Sequence, residues 1–269
     1  MIQSFFLNNV ENARELGGYI TADGKSIRHG VLLRTAKLAD ASDEDISKLR
    51  NEFNLGYVID FRMDQEKYNA NDPVIDGAEY YCLNVLDYSS EDMDELVEGG
   101  LESLDLIEFV KISEQSGMLS DTMYIDFLEG VNGKKGYSGF FRLLTDADPD
   151  KAFLWHCTSG KDRTGLAAMM LLSLFGVDED TMMKDYLLTN KYNDKSIQAV
   201  KKLIKNKGYD DAFSDKAALV FKAVRKEWMI NALKHLNKEY GSVTGYIRNA
   251  LMIPQADIDK IKEKYLTNG

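Results

Sequence analysis

The sequence contains few of the residues that cross-link or interrupt a chain. Only 2 cysteines and 3 prolines occur among 269 residues. Two cysteines cannot build a disulfide framework, which favours a reducing compartment. No Gly/Ser tract, internal repeat or block of like charges separates the chain into parts. We therefore expect a single domain over residues 1–269.

Long apolar segments are also missing. No run approaches the ~20 residues that a membrane-spanning helix requires. The N-terminus lacks the basic region and the apolar stretch of a secretory signal. We expect a cytoplasmic protein with no transmembrane segment, or a secreted one if a signal peptide has been removed.

Basic residues are outnumbered, with 33 Lys and Arg against 44 Asp and Glu and a net charge of −11. This balance disfavours nucleic acid or an acidic membrane as partner. The histidines His29, His156 and His235 are widely scattered, so we predict neither a metal site nor a cofactor. A hydrophobic content of 44% is enough for a folded core. We expect a monomer.

The most informative segment is the decamer HCTSGKDRTG at residues 156–165. It follows the apolar run 152–155 and precedes a second, largely apolar run at 166–175. A buried strand that leads through a polar loop into a helix is predicted. The N–H groups and the dipole of such a helix N-terminus attract anions.

The residue types of this loop suit a thiolate nucleophile that attacks a phosphoryl group. The helix N-terminus together with Lys161 and Arg163 favours the thiolate form of Cys157. Gly160 permits the tight curl, and Arg163 offers a planar fork to two phosphate oxygens. The predicted phosphate-binding residues are Thr158, Ser159, Gly160, Lys161, Asp162, Arg163 and Thr164.

Two other interpretations of the decamer are possible. A single cysteine beside an apolar helix is usually a small buried hydrophobic residue. A nucleotide-binding P-loop would need Gly where His156 stands and Ser or Thr where Asp162 stands. The combination of residues at fixed offsets favours catalysis by Cys157. His156 is expected to brace the loop by hydrogen bonds.

The loop resembles the signature of the cysteine-dependent protein tyrosine phosphatases, which is Cys, five residues, Arg, then Ser or Thr. The GKDRTG version is similar to the bacterial PtpB-like group, the tyrosine phosphatase 3 family. Further segments resemble family motifs, although Glu15 replaces the usual Asp. These segments are 12–18, 31–36, 58–62 with Glu66, 185–190 and 240–246.

The pattern of elements predicts an α/β fold. Strands are expected at 31–34, 56–61, 79–86 and 152–156, with a helix that starts after Ser42. Helices are expected at 122–129, 137–144, 163–175, 178–190, 195–206, 215–239, 242–251 and 256–266. Alternating strands and helices favour a mostly parallel sheet covered on both faces, followed by a helical C-terminal half. This is the fold that the resemblance implies.

Residues 88–119 are acidic and contain Gly99-Gly100 and an amphipathic stretch at 101–112. The resemblance implies that an insertion at about 88–120 forms a helical lid over the active site. The alternative is an acidic surface excursion with no role. The position after the third strand and the glycine pair favour the lid.

A phosphatase also needs a proton donor for the leaving group. Asp87 follows the third strand, where this fold usually carries that residue. Asp162 in the loop and Asp60 at the end of the second strand are the alternatives. Any of them could instead be a bracing carboxylate.

The leading functional hypothesis is a phosphatase that forms a phosphocysteine on Cys157 and acts on phosphotyrosine, phosphoserine/threonine or a phosphoinositide. The alternatives are a catalytically weak phosphate-recognition module, or a thiolate enzyme such as an arsenate reductase or a sulfurtransferase. Lys161 resembles the loop lysine of phosphoinositide phosphatases, which suggests substrates with more than one phosphate.

Four more cations lie in the segments that resemble family motifs. They are Arg14, Arg34, Lys37 and Arg62. They either line the mouth of the site or are ordinary surface or helix-pairing cations.

Overall fold

The structure is a computed structural model that describes residues 7–68, 70–87, 106–117 and 119–268. The strands are β1 Arg14–Glu15, β2 Lys25–Ile27, β3 Leu32–Thr35, β4 Leu55–Asp60, β5 Glu79–Cys82, β6 Ala152–His156 and β7 Leu266–Asn268. The helices before β6 are α1 Asp43–Asn51, α2 Asp64–Lys67, α3 Leu106–Gln115, α4 Met123–Glu129 and α5 Val131–Asp146. The helices after β6 are α6 Arg163–Phe175, α7 Glu179–Tyr192, α8 Asp194–Asn206, α9 Asp211–Phe221, α10 Lys226–Tyr240, α11 Val243–Asn249 and α12 Gln255–Tyr265.

The main sheet has five strands in the order β1-β3-β6-β4-β5. Only the β1–β3 pair is antiparallel, and the other three pairs are parallel. All five residues of the central strand β6 are buried. Its near-continuous apolar sequence is typical of a parallel strand with both faces covered. The predicted mostly parallel sheet is confirmed.

The two faces of β6 contribute to different hydrophobic layers because successive side chains point to opposite sides of a strand. Phe153 and Trp155 belong to the larger cluster, which includes α5, α6 and the last helices. Leu154 packs in a smaller cluster with Leu49 of α1 and Val58 of β4. The loop that follows β6 therefore starts from a strand that is buried on both faces.

Helix α1 begins where the sequence predicts. The Ser42 hydroxyl accepts a hydrogen bond from the Asp45 N–H at 3.2 Å, and the Asp45 carboxylate accepts from the Ser42 N–H at 3.1 Å. This reciprocal pair satisfies N–H groups that have no partner within the helix.

The predicted helix 215–239 is wrong as a single element, because α9 ends at Phe221 and α10 starts at Lys226. Two asparagine side chains, one in α7 and one directly after it, bind the backbone that connects α9 to α10. The Asn190 amide pairs with the N–H and the carbonyl of Val224, and Asn193 donates to the Lys222 carbonyl. These tertiary hydrogen bonds replace the helical ones, so local periodicity misses the break.

Two other boundaries differ from the sequence prediction. Strand β5 stops at Cys82 rather than 86, because the Asn84 side chain bonds the N–H and the carbonyl of Leu86 and forms a local turn. Helix α5 begins at Val131 rather than 137. A Cβ on Gly136 would lie 2.5 Å from Val85 Cγ1, so this helix-weakening residue is needed for close packing.

Helix α3 lies inside the expected lid region, and residues 88–105 and 118, with the Gly99-Gly100 pair, lie outside the described residues. Among the helices described, none is long and apolar enough to cross a bilayer.

We expect Ser42→Ala to lower the free energy of unfolding by about 1 kcal/mol, because the α1 cap is lost. Urea unfolding measures this difference. Ser47→Ala, on the exposed side of the same helix, is the matched control and should change stability little. Equal effects of the two substitutions would contradict the capping role.

Candidate active site

The loop 157–162 joins β6 to α6, and Cys157 is its first residue. The Cys157 side chain is buried. Gly160 has a φ of 63°, and a Cβ there would lie 2.3 Å from the Thr35 carbonyl oxygen. A side chain at this position would therefore clash with β3 and strain the backbone. The predicted role of Gly160 in the curl agrees with this geometry.

Arg163, the first residue of α6, is held in a defined orientation by Glu66 of α2. Its Nη1 and Nη2 atoms donate to the two Glu66 oxygens at 2.6 and 2.7 Å, and Nη1 also donates to the Phe61 carbonyl at 3.3 Å. The Thr158 hydroxyl donates to the same carboxylate. Glu66 thus connects both ends of the loop.

The electrostatics of this pair are strong because it is buried. Burial raises the pKa of Glu66, but the charge of Arg163 and the hydrogen bonds from Arg163 and Thr158 outweigh burial and lower it to about 2. Burial lowers the pKa of Arg163, and the charges of Glu66 and Cys157 raise it above its ordinary value. Both side chains remain ionised across the physiological range.

A buried polar cluster holds the loop from behind. Asn12 Nδ2 donates to the carbonyls of Ser159 at 3.3 Å and Gly160 at 2.8 Å, and Arg34 Nη2 donates to Gly160 at 3.0 Å. The Asp185 carboxylate in turn accepts from Arg14 at 3.0 Å and from Arg34 at 2.8 Å.

Lys161 and Ser159 connect the loop to the C-terminal end of α9. Lys161 Nζ donates to the carbonyls of Leu219, Val220 and Ala223, the last two at 3.0 and 3.2 Å. Ser159 Oγ donates to the Phe221 carbonyl at 3.0 Å. Lysine is well suited to this place because the carbonyls at a helix C-terminus attract a cation. Sequence reasoning missed this role.

Asp162 is held by a pair of tyrosines. Tyr124 donates to Asp162 Oδ1 at 2.7 Å and lies 2.9 Å from the Tyr186 hydroxyl, which donates to the Arg225 carbonyl at 3.1 Å. Burial raises the pKa of Tyr124, so its hydroxyl keeps its proton and remains a donor. Lys161 Nζ lies 3.5 Å from the other Asp162 oxygen.

Thr164 follows Arg163 in the first turn of α6. Trp155 Nε1 donates to its carbonyl at 3.1 Å, and the Tyr137 hydroxyl donates to the Arg163 carbonyl at 3.1 Å. The Thr164 hydroxyl is buried and has no hydrogen-bond partner among the described residues. A buried unpaired hydroxyl is unusual outside functional sites.

The loop opens into a cavity of about 370 Å³. Its polar lining consists of Glu66, Cys157, Thr158, Ser159, Lys161, Asp162, Arg163 and Ser113. The apolar lining consists of Leu86, Leu106, Phe109, Leu119, Met123, Phe127, Leu219, Val220, Phe221 and Trp228. Helix α3 supplies three of these residues, so the part of the expected lid that the structure describes does contact the cavity.

Residues 5–267 match the tyrosine phosphatase family. The chain belongs to that family. It is 30% identical over 261 residues to a Cupriavidus necator protein named as a tyrosine-protein phosphatase, covering 96% of this chain and 87% of the relative. It is 25% identical over 268 residues to the triple specificity protein phosphatase PtpB of Mycobacterium tuberculosis, covering 93% and 95%. The resemblance is confirmed, and the chain is a phosphoric monoester hydrolase.

With the phosphatase family established, the three candidate proton donors occupy different surroundings. Asp162 lines the cavity that Cys157 lines. Asp87 Oδ1 accepts from the Asn132 N–H at 2.7 Å, near the start of α5, and Asp87 lines a neighbouring cavity of about 200 Å³. Asp60 is buried and bound by Arg62 at 2.9 Å. Only Asp162, of the three, faces the loop cavity.

The arginines expected either at the mouth or on the surface lie in neither place. Arg14, Arg34 and Arg62 are buried. Arg14 and Arg34 pair with Asp185 behind the loop, and Arg62 pairs with Asp60 and Asp72. Their role is to shape the protein around the loop. Lys37, whose Nζ lies 3.3 Å from Asp40, is an ordinary partly exposed cation.

His156 is buried below the loop, with Nε2 3.1 Å from Asp72 and Nδ1 3.8 Å from Asp60. These three side chains could in principle act as metal ligands. The guanidinium of Arg62 already bridges both carboxylates, so a metal ion would face an unfavourable positive neighbour. The cluster fits the expected bracing role of His156.

We expect Glu66→Gln to lower kcat by about 10- to 100-fold, since a misplaced Arg163 no longer matches the transition state. Assays with p-nitrophenyl phosphate measure the loss. Asp64→Asn on the same helix, an exposed carboxylate paired only with Lys67 among described residues, is the control and should leave kcat unchanged. A wild-type kcat in Glu66→Gln would contradict the positioning role.

The same substitution has a pH signature in stability. The pKa of Glu66 in the folded protein, about 2, lies below its ordinary value of 4.5. The ion pair therefore stabilises the fold fully above pH 4.5 and progressively less as pH falls towards 2. In urea unfolding, the wild type should have a higher free energy of unfolding than Glu66→Gln above pH 4.5. This difference should become smaller as the pH falls towards 2.

Proposed function

We propose that the chain hydrolyses phosphate monoesters through a covalent phosphocysteine on Cys157. The observation that carries this proposal is the convergence of Cys157, Asp162 and Arg163 on one cavity at the N-terminus of α6. A nucleophile, a proton donor and a fork for phosphate oxygens are the parts that such a reaction needs. We further propose that residues 1–269 form one phosphatase domain, since β7 near the C-terminus pairs with β2.

In the first step, the substrate phosphate lies in the loop with its oxygens on backbone N–H groups and Arg163. The Cys157 thiolate attacks phosphorus, an S–P bond forms, and the P–O bond to the leaving group breaks. Asp162 gives its proton to the leaving oxygen. The fixed positive charge of Arg163 stabilises the charge of the transition state without reorganisation.

In the second step, water attacks the phosphocysteine. The Asp162 carboxylate takes a proton from this water, the S–P bond breaks, and inorganic phosphate leaves with the thiolate restored. We infer that Thr164 at the start of α6, whose buried hydroxyl has no described partner, donates to the departing sulfur. The cycle balances without a metal or a redox partner.

Asp162 is our choice as the proton donor among the described residues. It shares the cavity with Cys157, and Tyr124 holds one of its oxygens. Asp87 uses an oxygen to bind the start of α5, and Asp60 is paired with Arg62. A general acid must reach the leaving oxygen, so its position in the cavity favours Asp162.

The alternative functions receive less support. A recognition module would not need a buried nucleophile beside a proton donor. A thiol-based reductase would need a resolving cysteine near Cys157, but Cys82 lies on the edge strand β5, separated from β6 by β4. For substrates we propose phosphorylated proteins, consistent with the broad specificity named for the Mycobacterium tuberculosis relative.

Cys157→Ser should abolish turnover of p-nitrophenyl phosphate while inorganic phosphate still binds, because the hydroxyl does not ionise but the loop persists. Steady-state assays and calorimetry measure the two properties. Cys82→Ser is the control and should retain full activity. Turnover by Cys157→Ser at the wild-type rate would refute the proposed mechanism.

Asp162→Asn should lose far more activity on a phosphoserine peptide than on p-nitrophenyl phosphate, whose leaving group needs little protonation. The factor by which Asp162→Asn lowers activity should be about 10²-fold larger for the peptide than for p-nitrophenyl phosphate. The alkaline limb of the pH–rate profile should also flatten. Asp87→Asn, assayed in parallel, should lose no more on one substrate than on the other. If Asp87→Asn shows the contrast instead, the assignment to Asp162 is wrong.

A further inference from the structure

Lys161 has no donor left for a substrate. An ammonium group carries three N–H donors. The three short contacts of Lys161 Nζ are with the carbonyls of Leu219, Val220 and Ala223, and the side chain is buried. Lys161 therefore caps the C-terminal end of α9. Its expected role beside a second substrate phosphate has no support in this geometry.

Arg163 has donors for one phosphate and no more. A guanidinium has five N–H donors. Among the described residues, three of these donors are used, two by Glu66 and one by the Phe61 carbonyl. The remaining pair, Nε–H and one Nη2–H, forms a single fork that matches two oxygens of one phosphate.

The ionised side chains that line the cavity cancel in charge. In the state that binds substrate, Asp162 carries the proton that it gives to the leaving group, so Lys161 and Arg163 oppose Glu66 and the Cys157 thiolate, and no other Lys or Arg belongs to the described lining. The nearby cations have their own anionic partners: Arg225 pairs with Asp121, and Lys222 lies 2.6 Å from Glu11.

The cavity next to the catalytic one is lined by apolar, small and acidic residues. The neighbouring cavity shares Leu86, Met123 and Phe127 with the catalytic one and exposes the carboxylates of Asp87 and Asp126. A second phosphate on a substrate would meet these carboxylates, with no Lys or Arg among the described residues of this neighbouring lining to balance them. A basic side chain next to the phosphorylated one would meet opposite charge.

We infer that the preferred substrate is a singly phosphorylated protein segment with basic residues beside the phosphorylated side chain, and that the site discriminates against polyphosphorylated inositol lipids. This inference rests on the proposed phosphatase function of the Cys157 site. Arg163 binds one phosphate, and the apolar lining of the catalytic cavity contacts the rest of the segment. The carboxylates of the neighbouring cavity attract the basic residues that flank the phosphorylated one.

The test compares kcat/KM for phosphotyrosine peptides of one length whose flanking residues are Arg, Ala or Glu. The Arg-flanked peptide should exceed the Glu-flanked one by about 10-fold at low salt. The ratio should fall between about 0.01 and about 1 M salt, because salt screens exposed charges. A Glu-flanked peptide that is hydrolysed equally well or faster overturns the inference.

Short-chain phosphatidylinositol 3-phosphate and its 3,4,5-trisphosphate form the second arm. We expect the trisphosphate to be hydrolysed more slowly than the monophosphate, and the opposite order overturns the inference. Hydrolysis of p-nitrophenyl phosphate distinguishes a failure of the proposed function from a failure of the inferred substrate class. If p-nitrophenyl phosphate too is not hydrolysed, the proposed function fails, whereas its hydrolysis with the wrong peptide or lipid order refutes only the substrate class.

Two variants sharpen the test. Asp126→Lys, an exposed change in the neighbouring cavity, should lower the Arg-to-Glu preference by at least about 3-fold. Glu263→Lys makes the same change of charge but lines neither cavity, and should leave the preference unchanged. If the ratio of kcat/KM for the Arg-flanked and Glu-flanked peptides is equal in the two variants, the carboxylates of the neighbouring cavity do not have the inferred role.

Lys161→Ala should lower kcat/KM by the same factor on the mono- and trisphosphate lipids, because its role is to hold the loop to α9. A loss at least about 10-fold larger on the trisphosphate would show that Lys161 binds a second phosphate, and would overturn the inference.

Discussion

The shape of the catalytic loop depends on the carboxylate of Asp185, which lies buried between the guanidinium groups of Arg14 and Arg34. Burial raises the pKa of Asp185, but the charges of the two arginines outweigh it and keep the pKa below its ordinary value. Since the group stays ionised, both arginines are fixed in place. Arg34 then reaches the Gly160 carbonyl, and Arg14 orients Asn12 towards the same carbonyl.

This arrangement has a cost and a benefit. Removing ionised groups from water is unfavourable, and the attraction within a buried cluster recovers the loss only when the geometry is good. The benefit is a loop whose carbonyls are bound from behind. Backbone N–H groups at the start of a helix attract an anion, and a fixed loop keeps them in one arrangement. The Glu66–Arg163 ion pair likewise fixes the loop, because Glu66 also accepts a hydrogen bond from Thr158.

A third connection joins the loop to the helices around the cavity. Phe221 accepts a hydrogen bond from Ser159 through its carbonyl, and its ring stacks on Phe109 of α3 with ring centroids 5.5 Å apart. The same residue therefore contacts the loop and the helix that lines the opposite wall. Lys161 strengthens the link by capping α9.

Local sequence predicts the central strand, the start of α6 and the candidate chemistry of Cys157 and Arg163. Strand periodicity, the Ser42 cap and the spacing of the loop residues are short-range properties, so they can be read along the chain. Tertiary structure decides which charges meet. The partners of Arg14, Glu66 and Lys161 lie 171, 97 and 58 or more positions away. Because an ion pair or a cap depends on distance in space, only the packed fold shows that the loop lysine binds a helix end and that Asp162 faces the cavity.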